Sequence, residues 1–222
     1  MQYLYHKQAK ESTLLLKGDD HRYIFKVRRH REGEVIALRN LEDENIYYYK
    51  IDLLDKKEAH LVLQNSEKLV VKAKKKLHIG WCVIDPKSIE KILPTLNEMG
   101  VEQISFIYCQ RSQKSFKLDF SRFEKILLNS SQQCGRSELM KLVSINSLEK
   151  FLKQNPDAMA LNFSDKFLDK DVDIETIVVG CEGGFTKDEM ALFVEESIIG
   201  FDSPLILKSE SAVCVASAKL LL

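Results

Sequence analysis

The sequence predicts an α/β domain with a largely parallel sheet, preceded by a small β-rich, barrel-like domain. Three observations carry this reading. Residues up to about 65 break into short alternating apolar segments, and residues from 77 onward alternate buried-strand runs with helical patterns. Charge also changes sign along the chain: residues 1–76 hold 17 Lys+Arg against 12 Asp+Glu, and residues 77–222 hold 16 against 21. A net charge of zero therefore covers two units with different partners. The basic connector "KLVVKAKKK" (Lys68 to Lys76) places the domains at 1–70 and 71–222.

In the first domain "STLLLKG", "GEVIALRN", "NIYYYKIDLL" and "EAHLVLQN" read as strands, parted by turn signals such as "REGE" and "LEDEN". The stretch "HRYIFKVRRHR" (His21 to Arg31) departs from them, with Tyr23, Ile24 and Val27 at helical spacing. Around these stand Arg22, Lys26, Arg28, Arg29 and Arg31 with no acid between, which suits phosphate contact without base readout. The plainer alternative is a solvated helix face. In the run Tyr47-Tyr48-Tyr49 alternate side chains point to opposite faces, so at least one is core and the rest can stack on bases.

In the second domain "LHIGWCVI" is a buried strand, and Asp85-Pro86 caps a helix that runs to Gly100, with Pro94 predicting a kink. Strand "QISFIYC", helix "SRFEKILLNSSQQ", a short helix near "SLEKFLKQN", and strands "AMALNF" and "TIVVG" follow. Helix "TKDEMALFVEE" comes next, then a last helix from about Ser209. Thr186 and Glu189 fit a capping box, which gives Glu189 a structural explanation.

An apolar fraction of 45% suits a globular chain. No run approaches a membrane span, and the opening "MQYLYHKQAKE" lacks a signal-peptide core, so a cytoplasmic protein with no membrane partner is expected. Cys82, Cys109, Cys134, Cys181 and Cys214 form no C-x-x-C pair and have no histidine at ligand spacing. Neither a metal site nor a disulfide set is expected, and they read as small core residues.

One stretch asks for a ligand. In "IVVGCEGGF" (Ile177 to Phe185) a buried-strand pattern ends in a turn with Glu182 between glycines, which lets backbone approach something closely. Neither phosphate-loop pattern is present, and a carboxylate there disfavours polyphosphates. A neutral or cationic ligand such as S-adenosylmethionine suits it better; a tight turn with an exposed glutamate is the alternative.

Two further stretches stand in order with "VGCEGGFTKDE": "QQCGRS" (Gln132 to Ser137) before it and "PLILKSESA" (Pro204 to Ala212) after it. Together they resemble the bacterial 16S ribosomal RNA (uracil-N3)-methyltransferase family of the SPOUT class. Its usual strings run close to E-Q-S/C-G-R, then I/V-G-P-E-G-G, then L-R-x-E-T-A. "LNEMGV", "CQRS" (Cys109 to Ser112) and "YIFKVRRHREGE" extend the resemblance over nearly the whole chain.

The resemblance implies a SPOUT-type trefoil-knotted methyltransferase domain after a PUA-like β-barrel, acting as a homodimer on small-subunit ribosomal RNA, in the assembled 30S subunit. It implies S-adenosylmethionine as cofactor, held by Leu161, Asn162, Phe163, Gly180, Cys181, Glu182, Gly183, Leu205, Ile206, Leu207 and Ala212. Arg136 becomes the candidate that stabilises charge on a uracil oxygen, with an ion pair at a helix end as the alternative. Glu210 becomes a candidate base or positioning carboxylate, though the helix dipole alone favours an acid there. Lys26, Arg28, Arg29, Arg31, Arg111, Lys114 and Lys208 are the candidate RNA contacts. Departures from the family pattern are Cys181 for proline, Thr95 for lysine, Lys208 and Ser211 for arginine and threonine, and no arginine at Gln2 to Tyr5. A SPOUT enzyme acting on a tRNA ribose hydroxyl, and an RNA-binding relative without catalysis, remain the alternatives.

Overall fold

The computed structural model describes residues 2–169 and 173–222. The chain divides into two units, one of Met1–Lys72 with Ser131–Glu138, the other of Ala73–Ser130 with Leu139–Leu222.

In the first unit β1 (Leu4–Tyr5), β2 (Thr13–Lys17), β3 (Val35–Arg39), β4 (Asn45–Leu54) and β5 (Glu58–Lys68) form a sheet in the order β1-β3-β4-β5-β2. Among the described residues its edge strands β1 and β2 do not pair with each other, so the barrel-like domain expected is seen as a half-barrel sheet. Alternation along β4 sends Tyr47, Tyr49 and Ile51 into a core with Leu16, Leu38 and Leu61. Base stacking by Tyr47 and Tyr49 is thereby excluded: Tyr49 donates its hydroxyl to the Glu11 carbonyl at 2.7 Å, and burial pushes its phenol up to about 12. Tyr48 is half-buried and donates to Glu67.

Helix α1 (Gly18–His21) widens into a π-helical turn over Arg22–Val27, where the Arg28 amide reaches the Tyr23 carbonyl at 2.9 Å. The wider turn buries Ile24 but turns Val27 outward, against the regular helical spacing read from the sequence. Segment Ser131–Glu138 is tied into the same unit. The Tyr5 amide donates to Gln132 Oε1 at 2.7 Å, and Ser137 and Val71 exchange hydrogen bonds.

The second unit runs β6 (His78–Cys82), α2 (Pro86–Met99), β7 (Gln103–Ile107), α3 (Phe120–Cys134), whose last residues count with the first unit, β8 (Lys141–Ile145) and α4 (Leu148–Gln154). Then come β9 (Met159–Leu161), β10 (Thr176–Val179), α5 (Lys187–Met190), β11 (Ile198–Ile199) and α6 (Ser209–Leu221). The strands lie in the order β11-β9-β10-β6-β7-β8 with every ladder parallel. Strand β10 thus sits between β6 and β9, although β9 precedes it in the chain. The core gathers Ile79, Trp81, Ile104, Phe106, Phe123 and Ile177. As predicted, the Asp85 carboxylate caps α2 by accepting from the Lys87 amide. Among the described residues no helix is long and apolar enough to cross a membrane.

Two expectations are corrected. Helix α5 stops at Met190, far short of "TKDEMALFVEE", because Phe193 turns into the core and the next residues lead to β11. Cys82 and Cys109 form a disulfide with Cα atoms 5.7 Å apart. Cys82 is in register with Ile107, and the Cys109 amide bonds back to the Ile107 carbonyl, which folds Cys109 toward its neighbour strand.

His78 on β6 contacts the Ser105 hydroxyl at 2.8 Å and packs edge-on against Phe151. Burial holds its pKa below the ordinary histidine value, so the folded state binds a proton less readily than the unfolded chain. Stability is therefore fully present above the ordinary value and falls as pH drops through the lower folded value. Urea unfolding midpoints at pH 5 and pH 7.5 check this; His78→Gln is expected to reduce the difference.

Candidate functional site

Three separated segments converge on one cavity of about 860 Å³ in the second unit. They are the loop after β9, the turn after β10, and the approach to α6. Each follows a β-strand or opens a helix, where the regular ladder ends and backbone groups become free for other partners.

The turn after β10 is closed by the Gly184 amide, which donates to the Cys181 carbonyl at 2.8 Å. Gly184 has φ +66°, a left-handed conformation that side chains disfavour. The Cys181 thiol donates to the Gly184 carbonyl at 3.7 Å, so this residue fastens the turn where a proline would stiffen it. Burial, reinforced by the Glu182 carboxylate, raises the Cys181 pKa, so the group stays a neutral thiol at pH 7 and is no ready nucleophile. Glu182 itself is exposed on the cavity lining.

The loop after β9 is held by Gly200. A side chain there would sit 2.9 Å from the Asn162 carbonyl and 3.0 Å from the Ser164 backbone, closer than real contacts allow. The Asn162 amide donates to the Ile199 carbonyl at 2.9 Å, locking loop against strand. The start of α6 is anchored by Ser209, which is buried. Its hydroxyl accepts from Trp81 Nε1 at 2.9 Å and donates to the Gly180 carbonyl. One hydroxyl thus joins β6, the glycine turn and the last helix.

All eleven residues expected to hold a cofactor line this cavity: Leu161 to Phe163, Gly180 to Gly183, Leu205 to Leu207 and Ala212. Lys208, read as an RNA contact, also lines it and is exposed. The sequence reading missed Asp165, Asp202, Phe201 and Ser209, which line it too. The carboxylates of Glu182, Asp165 and Asp202 suit a cationic group, and Phe163, Leu205 and Ile206 offer apolar contact for a flat ring. The donor set therefore fits a sulfonium nucleoside better than a polyphosphate. Among the described residues no cluster of His, Cys, Asp or Glu stands where it could hold a metal ion.

The other candidates are not themselves part of the lining. Glu210 is half-buried in the first turn of α6, one turn from Cys214, whose thiol it helps hold above its ordinary pKa after burial. Arg136 belongs to the first unit, where it is buried. Its carbonyl accepts from the Tyr3 hydroxyl at 2.7 Å, and its guanidinium lies 3.5 Å from Glu138. Lys26, Arg28, Arg29 and Arg31 are exposed, with Arg28 bonded to the Tyr23 hydroxyl at 2.8 Å. Lys114 is exposed in the loop after β7, and Arg111 in that loop bonds the Gly183 carbonyl.

The parallel sheet, with a cavity at the ends of β9 and β10, defines an α/β enzyme that binds a small molecule among loops at strand ends. Residues 71–221 match the family described as "RNA methyltransferase domain". Over 222 residues the chain is 40% identical to ribosomal RNA small subunit methyltransferase E of Helicobacter pylori (strain J99), covering 98% of each chain. The Aquifex aeolicus protein of that name is 24% identical, with 96% of each covered. The chain belongs to the RNA methyltransferase family that includes ribosomal RNA small subunit methyltransferase E. In fold it is similar to that enzyme from Neisseria gonorrhoeae, solved with S-adenosyl methionine, with a TM-score of 0.79 at 20% identity over 98% of this chain and 95% of the other.

Proposed function

We propose that this chain is an S-adenosylmethionine-dependent methyltransferase that modifies N3 of a uridine in 16S ribosomal RNA. The observation that carries the reading is the convergence of three separated segments on one cavity whose lining matches a sulfonium nucleoside. The resemblance and the family supply the substrate.

When bound, the cofactor supplies an electrophilic methyl group on a sulfonium. The chain's residues align the uracil ring, exclude water and handle the N3 proton. Glu210, in the first turn of α6, is the group that accepts or relays that proton. Arg136, the other candidate, is buried beside Glu138 in the single chain, which favours its ion-pair alternative over contact with a uracil oxygen. A homodimer is supported by exposed apolar side chains at the cavity: Phe163, Leu205 and Ile206 are each at least 75% exposed in the single chain. Lys26, Arg28, Arg29 and Arg31 hold RNA phosphates, and Lys114 and Lys208 supply further contacts to RNA. Residues 1–70 serve as a PUA-like RNA-binding domain, and 71–222 as a SPOUT domain whose chain threads a trefoil knot. The insertion of β10 between β6 and β9 supports that threading. The enzyme acts in the cytoplasm on the assembled 30S subunit.

The test compares nucleosides from small-subunit RNA of cells with and without this gene. Loss of N3-methyluridine from the deletion strain, restored by the gene, is the expected result. Its persistence rejects the reading, and loss of a 2′-O-methyl nucleoside from tRNA instead supports the ribose-directed alternative.

A further inference from the structure

Arg111 stands in a basic loop and reads from sequence as a phosphate contact, yet its exposed side chain is laid over the glycine turn. Its Nη1 donates to the Gly183 carbonyl at 2.5 Å. Its aliphatic stem lies flat on the same residue, with Cδ and Cβ 3.3 and 3.4 Å from where a Gly183 side chain would begin. Gly183 forms part of the cavity wall, so Arg111 braces that wall.

The brace is itself fixed. Glu189 is buried, and its carboxylate does more than complete the Thr186 capping box. While Oε2 accepts from the Thr186 amide at 2.9 Å, Oε1 accepts from the Gln110 amide at 2.7 Å, next to Arg111. Two bonds, both donated by the loop after β7, therefore stitch that loop to the glycine turn and the helix after it: Gln110 to Glu189 in α5, and Arg111 to Gly183 within the turn. A charge-assisted bond to a carbonyl is stronger than a neutral one, and a carboxylate accepting from two backbone amides holds both segments in one register.

We propose that Arg111 is a positioning residue for the cofactor turn, held in place by Glu189, and that its guanidinium is committed to the Gly183 carbonyl and not to RNA phosphate. This rests on the cavity being the S-adenosylmethionine site. Removing the brace frees the turn to sample other conformations, which weakens cofactor binding through the fraction of competent protein. Lys114 and the basic cluster of the first unit are left to meet phosphate.

The experiment is steady-state kinetics of the full chain with 30S particles, together with calorimetric binding of S-adenosylmethionine. Arg111→Ala is expected to raise the KM and Kd for S-adenosylmethionine about tenfold, with kcat at saturation, the RNA KM and its salt dependence unchanged. Glu189→Gln is expected to move the same cofactor constants in the same direction, although its side chain is buried and cannot meet RNA. Arg111→Lys is expected to recover only part of the cofactor affinity, since it keeps the charge but loses the fork. A phosphate contact gives the opposite pattern: a raised RNA KM and a shallower salt dependence, with cofactor constants unmoved. That pattern, or no change in either, overturns the proposal. Ala212→Phe, which fills the cavity from α6, separates the two levels of argument. If it leaves cofactor binding intact, the cavity is not the cofactor site; if it abolishes binding while Arg111→Ala does not alter it, only the role of Arg111 is wrong.

Discussion

Ser209→Ala is expected to lower stability by about 2 to 4 kcal/mol and to weaken S-adenosylmethionine binding by more than tenfold. The reason is what the hydroxyl satisfies. Ser209 is buried, and removing its oxygen strands the indole N–H of Trp81 and the carbonyl of Gly180, neither of which the methyl group of alanine can serve. A stranded buried polar group such as the Trp81 indole costs about 1–3 kcal/mol, and the bond lost by the carbonyl of half-buried Gly180 adds about 1 kcal/mol. Binding suffers beyond stability because the same oxygen joins the glycine turn to the head of α6, so two walls of the cavity lose a common reference. Urea unfolding and calorimetry check the two effects; wild-type affinity in the variant would show that the walls are fixed independently of Ser209. Ser209→Thr keeps the oxygen and is expected to retain most of both.

Gly200→Ala is expected to abolish measurable cofactor binding while costing about 1–3 kcal/mol of stability, the usual range for an added carbon with no room. The atoms it would meet are backbone, the Asn162 carbonyl and both polar atoms of Ser164, and no rotamer change can move them. Relief comes only by pushing the loop after β9 away from β11, which breaks the Asn162 to Ile199 bond and carries Asn162 and Phe163 off the cavity wall. A variant that folds and binds S-adenosylmethionine normally would show that this loop yields without cost.

Much of this was legible before the fold was known, for reasons that differ by element. Strand β4 spans the ten residues "NIYYYKIDLL", because a half-buried strand writes its period into the sequence. Helix α2 shows its ends in Asp85 and Gly100. Strand β11 was not legible: two residues, Ile198–Ile199, carry no period, and the preceding "TKDEMALFVEE" imitates a helix that only its first turn realises. The Cys82–Cys109 pair could not be read from a separation of 27 residues, since it depends on which strands are neighbours. The cavity residues around Gly180 to Gly184 announced themselves through glycine, whereas Ser209 and Gly200 act on atoms distant in sequence and leave no local pattern. Tyr47 and Tyr49 show the converse, since their aromatic run suggested a binding surface until the pleat placed both in the core.

The place of β10 between β6 and β9 bears on how the protein is made. During synthesis β6, β7 and β8 can pair as soon as each emerges, with each strand laid beside its predecessor. Strand β9 cannot, because both of its neighbours, β10 and β11, are encoded later. It must wait unpaired until residue 179 has left the ribosome, and its other edge waits until residue 199. One half of the sheet is thus an early product of translation, and the half that forms the cavity is a late one built from distant partners, the slow class of contact. A nascent chain stalled before β10 would carry an ordered β6-β7-β8 platform and no site.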